Sequence, residues 1–195
     1  DGKLDLFVGY YVDWKPEYES GLECDFGTAE KKYCPVAMFE ASSPQLFRGD
    51  GQGGFSEVTK QAGLDKLLGK ALGGAVEDCN RDGWPDLLVA NDSVPNFLLL
   101  NGQDGTFSDH GVDSGFATDG AGASLAGRGI DTAWTFAGDS AAEPSSGRLG
   151  VGIGNFSDEP TTIHVQEYRD YFVDRSIGLG VWMESMQRVT FGLVF

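Results

Sequence analysis

The chain is 195 residues long and carries 30 acidic against 14 basic side chains, a formal net charge of −16. That surplus of carboxylate repels a phosphate backbone, which argues against a nucleic-acid partner and suits solvation and hard cations instead. Glycine is abundant at 29 residues without a period of three, and aromatics make up 12%, so the chain reads as folded and turn-rich rather than collagenous or disordered.

The elements follow in chain order. Asp1 to Tyr11 (DGKLDLFVGYY) reads as a turn, an apolar residue, an acid and a strand. A polar excursion follows, in which Cys24 and Cys34 bracket a segment with no strand or helix pattern. A disulfide between them would restrain it in an oxidising compartment; two unpaired thiols are the alternative. Pro44 to Val58 (PQLFRGDGQGGFSEV) is a short strand, a Gly/Asp turn, and a strand restarting at Phe55. The stretch Val58 to Lys70 is the best helical candidate, but Gly63 and Gly69 interrupt it, and a loop with at most one helical turn is expected.

The same order of elements then returns. A strand from Gly69 (GKALGGAVED) leads to the acidic loop, to DGWPDLLVAND from Asp82, and to NFLLLNGQDGTFSDH from Asn96. A third copy runs GRGIDTAWTF from Gly127, SGRLGVGIGNF from Ser146 and TTIHVQEYRDYFVDR from Thr161, the last without its glycines. Three units are therefore expected, near residues 1–68, 69–126 and 127–195, each of about four short strands. Repeated four-stranded sheets that cannot bury their own faces predict an all-β fold, an incomplete β-propeller of about three blades. A β-solenoid is the rival, though its repeats are usually shorter. Both ends read as cut, the first inside a loop motif and the last inside the apolar TFGLVF. No apolar run approaches the roughly 18 residues of a membrane helix, so no membrane insertion is expected, and any secretion signal is expected outside the chain.

The loop between Glu77 and Leu87 carries the chemistry. Asp78, Asn80, Asp82 and Asp86 occupy relative positions 1, 3, 5 and 9, Gly83 permits the sharp turn, and the Trp84 carbonyl supplies a further oxygen. Hard Ca²⁺ takes about six to eight such oxygens, whereas Mg²⁺ demands stricter octahedral geometry. No His or Cys belongs to the set, which argues against zinc, and Cys79 is expected to point away as a small buried hydrophobe. An EF-hand begins in the same way but needs a Glu at its twelfth position, where this chain has Val89 in a β-like run. A metal-free Asx-rich turn is the bland alternative. Asp1 and Asp5 match Asp82 and Asp86, so the first unit is expected to hold a partial site. Gly150 stands where Asp86 stands, so the third loop, with only Asp139 and Glu143, is expected to bind weakly or not at all.

The run EDCNRDGWPDLLVANDSVPNFLLLNGQDGTF resembles the FG-GAP/VCBS repeats of the integrin-α-like propeller, and more closely the cartilage acidic protein and ASPIC/UnbV group. LFVGYYVDW, the Cys24 to Cys34 loop with YCP, LFRGDGQGGF and GIGNFSDEPTTI fall in the same order, so the resemblance covers nearly the whole chain. The second unit is a specific match and the third is degenerate. The resemblance implies seven-bladed propellers with Ca²⁺ in their loops, Asp78, Asn80, Asp82, Trp84 and Asp86 as ligands with Asp1 and Asp5 in part, and an extracellular or cell-surface role in adhesion or recognition. It implies as partners an extracellular protein or carbohydrate, together with the remaining blades of a parent chain or close-packed copies.

Other features read blandly. Arg48-Gly49-Asp50 spells an adhesion tripeptide that the strand-and-turn pattern already explains. Asn91-Asp-Ser93 and Asn155-Phe-Ser157 are glycosylation sequons in equivalent structural slots. His110 and His164 sit in no nucleophile or metal pattern and are expected in a loop and a strand. Trp14, Trp84, Trp134 and Trp182 are expected as packing anchors, with Trp84 also placed to stack on a sugar. No catalytic constellation emerges, so a non-enzymatic role is expected; a propeller lyase or hydrolase acting on polysaccharide, or a structural subunit of a surface filament, is the alternative.

Overall fold

The computed structural model describes residues 2–18, 34–135 and 147–194. Over these residues the chain is nearly all β, with three antiparallel sheets of three, four and four strands. The first holds β1 (Leu6–Val8), β2 (Gln45–Gly49) and β3 (Phe55–Glu57) in that order. The second runs β4 (Ala71–Glu77), β5 (Asp86–Asn91), β6 (Phe97–Asn101) and β7 (Phe107–Asp109). The third repeats it with β8 (Gly129–Thr135), β9 (Arg148–Gly154), β10 (Thr162–Tyr168) and β11 (Tyr171–Asp174). Among the described residues, helix is confined to short pieces such as α1 (Val181–Ser185).

The sheets stack in a propeller-like arrangement, and β5 shows why its residues are a continuous apolar run rather than an alternating one. A strand covered on both faces needs apolar residues at every position. Leu88 and Ala90 enter a core with Leu149, Val151 and Ile153 of the third sheet. Val89 enters a separate core with Leu46, Ala62 and Leu64 of the first unit. Burying each large side chain stabilises by roughly 1.5 to 3 kcal/mol, so both faces of the middle sheet hold its neighbours.

The stretch Val58 to Lys70 makes a single helical turn, with Ala62 N–H donating to the Val58 carbonyl at 2.9 Å, and Gly63 (φ +78°) reverses the chain. That is the expected outcome. Two hydrogen-bonded bridges also recur where one unit passes into the next, Ser42 with Gly69 and Asp92 with Ala126. Asp92 is almost fully buried and joins all three units: Tyr11 Oη donates to it at 2.6 Å and the Arg128 guanidinium lies 3.4 Å away. Burial, with the Asp92 bond, pushes the Tyr11 hydroxyl up to about 12.

The tryptophans depart from expectation. Trp14, Trp84 and Trp134 stand 53%, 40% and 38% exposed, and the cores are filled instead by Leu, Ile, Val and Phe. Trp134 acts at an edge, its indole N–H donating to Glu77 at 3.1 Å while the Arg81 guanidinium lies 4.8 Å over its ring.

Candidate metal centre

Antiparallel pairing puts the β4–β5 loop and the β6–β7 turn at the same end of the middle sheet. The β4–β5 loop closes on itself through alternate side chains. Asp82 N–H donates to both Asp78 Oδ1 and Asn80 Oδ1 at 3.0 Å, Gly83 N–H donates to Asp78 Oδ2 at 2.9 Å, and Trp84 N–H donates to Asp82 Oδ1 at 2.9 Å. Short polar side chains make such Asx turns readily. Gly83 takes φ +87° with open space around its α-carbon, so backbone conformation rather than crowding requires glycine. The neighbouring turn reaches in, with Gln103 Nε2 donating to Asp82 Oδ2 at 3.1 Å.

Asp86 lies at the base of the loop and has no exposed surface. Cys79 N–H donates to its Oδ2 at 2.9 Å and Asn101 N–H to its Oδ1 at 2.8 Å. Burial, helped by the Asp82 and Asp78 charges, raises its carboxyl above the usual range against the pull of those two amides. Asp82 is lowered, chiefly by the Trp84 amide. Cys79 faces the core between the second and third sheets, away from the loop, and burial pushes its thiol well up.

The oxygens are hard, acceptor-only for the carboxylates, and free of competing sulfur or imidazole. Each oxygen has two lone pairs, so one that receives an amide retains another for a cation. The donor chemistry therefore fits Ca²⁺. Among the described residues no three His, Cys, Asp or Glu side chains group as metal ligands do, and the Asn80 amide and main-chain carbonyls would share the coordination. Asp50, Asp104 and Asp119 make the same bonds to amides two residues on, so the pattern of hydrogen bonds is turn chemistry. The loop at 78–86 differs in stacking three Asx side chains over a buried fourth.

Asp5 repeats the Asp86 bond, accepting Gly49 N–H at 2.9 Å where Asp86 accepts Asn101 N–H. This pinning role was not apparent from the spacing of ligands, although the aligned turns held the signal. Asp1, Asp139, Glu143 and Cys24 lie outside the described residues, and with them the rest of the first site, the third loop and the pairing of Cys24 with Cys34.

No protein-family model and no curated protein matches the chain.

The remaining motifs are occupied by the fold. In Arg48-Gly49-Asp50, Gly49 is buried on Asp5 and the Asp50 carboxylate accepts the Gln52 and Gly54 amides at 2.6 and 2.9 Å. Both sequon asparagines are buried and clamp the next loop: Asn91 Nδ2 donates to the Pro95 carbonyl at 2.7 Å and Asn155 Nδ2 to the Pro160 carbonyl at 2.6 Å. His110 follows β7 within 3.0 Å of Ser108 Oγ, and His164 lies within β10.

Proposed function

We propose that the chain is a calcium-binding propeller repeat segment of an extracellular or cell-surface protein that recognises or adheres to a partner. The Asx-stacked loop over buried Asp86 carries this reading, because it gathers carboxylates at a strand entrance where they repel one another and a divalent cation would relieve them. With most of its coordination filled by protein, the ion would be structural, holding β5 in its sheet, and would leave little room for Lewis-acid chemistry on a substrate.

Recognition is then assigned to the opposite end of the sheets. An open groove of about 790 Å³ there is lined by Tyr10, Asp13, Trp14, Glu57, Lys60 and Asp65 among others. Exposed aromatic faces beside carboxylates suit a carbohydrate or an extracellular protein ligand. An oxidising location would also suit a bridge between Cys24 and Cys34.

The deciding experiment is thermal unfolding of the chain with Ca²⁺, with Mg²⁺ and with chelator, for the wild type and Asp82→Ala. A Ca²⁺-specific rise in Tm that the variant loses supports the reading. An equal response of both proteins removes it.

A further inference from the structure

Where the Asx loop meets the third sheet, the charge of the molecule reverses. A recess of about 400 Å³ between the two units is lined there by Arg81, Arg148, Gln166, Glu167, Tyr168 and Arg169 among others. Three of the 14 basic residues of a chain with net charge −16 thus meet in one place. Glu167 is the one acid lining the recess among the described residues, and two guanidiniums already donate to it, Arg148 Nη1 at 2.7 Å and Arg175 Nη2 at 2.6 Å. The nearby Asp78 and Asp82 carboxylates are turned onto the amides of their own loop. Positive charge is therefore in surplus along the lining.

Two of these guanidiniums are carried on left-handed backbone, Arg81 at φ 61° and Arg169 at φ 44°. Long side chains avoid that region, where glycine sits without strain, and strain of this kind collects at ligand clamps. Arg81 is fixed in place, its Nη2 donating to the Gly147 carbonyl and its guanidinium lying 4.8 Å from the centre of the Trp134 ring. Arg169 is exposed in the tight turn from β10 to β11, where Tyr168 pairs with Tyr171. Its guanidinium lies 5.7 Å from the centre of the Tyr168 ring, and no carboxylate pairs with it among the described residues. The corresponding turns of the first two units are the glycine-rich GDGQGG and NGQDGT, so Tyr-Arg-Asp-Tyr is particular to the third.

We propose that this recess is a further ligand site, for a saccharide unit that carries one oxyanion, a sulfate ester or a carboxylate. Planar guanidinium forks match such oxygens two at a time, and fixed ones lose little freedom on binding. Tyr168, 69% exposed, offers a flat apolar face for the sugar ring, and the Gln166 side chain adds an amide for its hydroxyls. The volume falls in the range of roughly 300 to 1,000 Å³ that small ligands occupy. The negative field of the whole chain repels an extended polyanion, which favours a single charged group held locally. This site is distinct from the groove at Tyr10 and Trp14, whose lining is acidic at Asp13, Glu57 and Asp65. None of the three arginines supplies an oxygen to the Asx loop, so the site stands apart from the calcium reading.

Calorimetric titration of the chain in metal-free buffer with glucose 6-sulfate, glucuronate, glucose and inorganic sulfate tests it. At least one of the two anionic sugars is expected to bind with a Kd of about 1 mM or below. Glucose is expected to give no binding, and sulfate alone to bind at least about tenfold more weakly than the anionic sugar. Arg169→Gln and Arg81→Gln are each expected to weaken binding at least about tenfold, the loss of one charged hydrogen-bonding group. Lys66→Gln removes the same charge from an exposed position away from the recess and is expected to leave affinity unchanged. Circular dichroism and an unchanged Tm verify folding, and Arg169→Gln, in an exposed turn, decides alone if Arg81→Gln fails that check. Binding of neither anionic sugar, sulfate that binds as tightly as the sugar (an adventitious ion only), unchanged affinity in Arg169→Gln, or an equal loss in Lys66→Gln would each overturn the proposal.

Discussion

Asp86 accepts the Asn101 main-chain N–H at 2.8 Å, so the residue that opens β5 also holds the end of β6. Its other oxygen takes the Cys79 amide, and one carboxylate thereby fastens the loop to both strands.

Replacing Asp86 by Ala is expected to lower stability by about 2 to 5 kcal/mol without any metal, since two amides lose a charged acceptor in a buried place. Asp5→Ala, which releases one amide at a more exposed site, is expected to cost about 1 to 2 kcal/mol. Urea midpoints measured in chelator would check the order. A reversal would mean that the second carboxylate bond is not what holds this sheet.

His164 predicts a pH dependence. It is almost wholly buried beside the Phe116 ring, neither ring nitrogen has a hydrogen-bond partner, and burial lowers it from 6.5 to about 4 against the opposing charges of Asp174 and Asp119. The folded state binds its proton later than the unfolded state does. Stability from this group is therefore complete above about 6.5 and is lost as pH falls toward about 4, on the order of 3 kcal/mol in all. His164→Leu is expected to flatten that part of the stability profile and to cost little at neutral pH. An unchanged slope between those limits would count against the assignment.

The left-handed glycines should rank by their surroundings. Gly115→Ala is expected to cost about 2 kcal/mol or more, because the strained backbone is joined by a 2.6 Å clash with the Phe172 carbonyl. Gly180→Ala meets only the backbone term, about 1 kcal/mol. Chemical unfolding of the two variants would compare them.

Cys79 is expected to resist alkylation in the folded chain and to react fully on unfolding, because its raised thiol is buried. Mass mapping of an unreduced digest is expected to find Cys24 joined to Cys34. A peptide linked through Cys79 would overturn both expectations.

Much of this molecule follows from sequence by itself. Turn residues at recurring places, with apolar runs between them, dictate strands locally, since Gly, Asx and β-favouring residues act over a few positions. The all-β strand pattern and the Asx-rich loop are legible for that reason. What the spacing of Asp78, Asn80, Asp82 and Asp86 did not reveal was that Asp86 is buried and pinned to Asn101, because its partner lies fifteen residues away across a sheet. Burial is likewise a tertiary outcome. The packing decided that Leu88 and Val89 face different cores, that the sequon asparagines are enclosed, and that Trp14 and Trp134 stay at edges. It also decided that Ala62 and Ser114 are covered, since a turn signalled locally in sequence is buried only where another sheet lies against it.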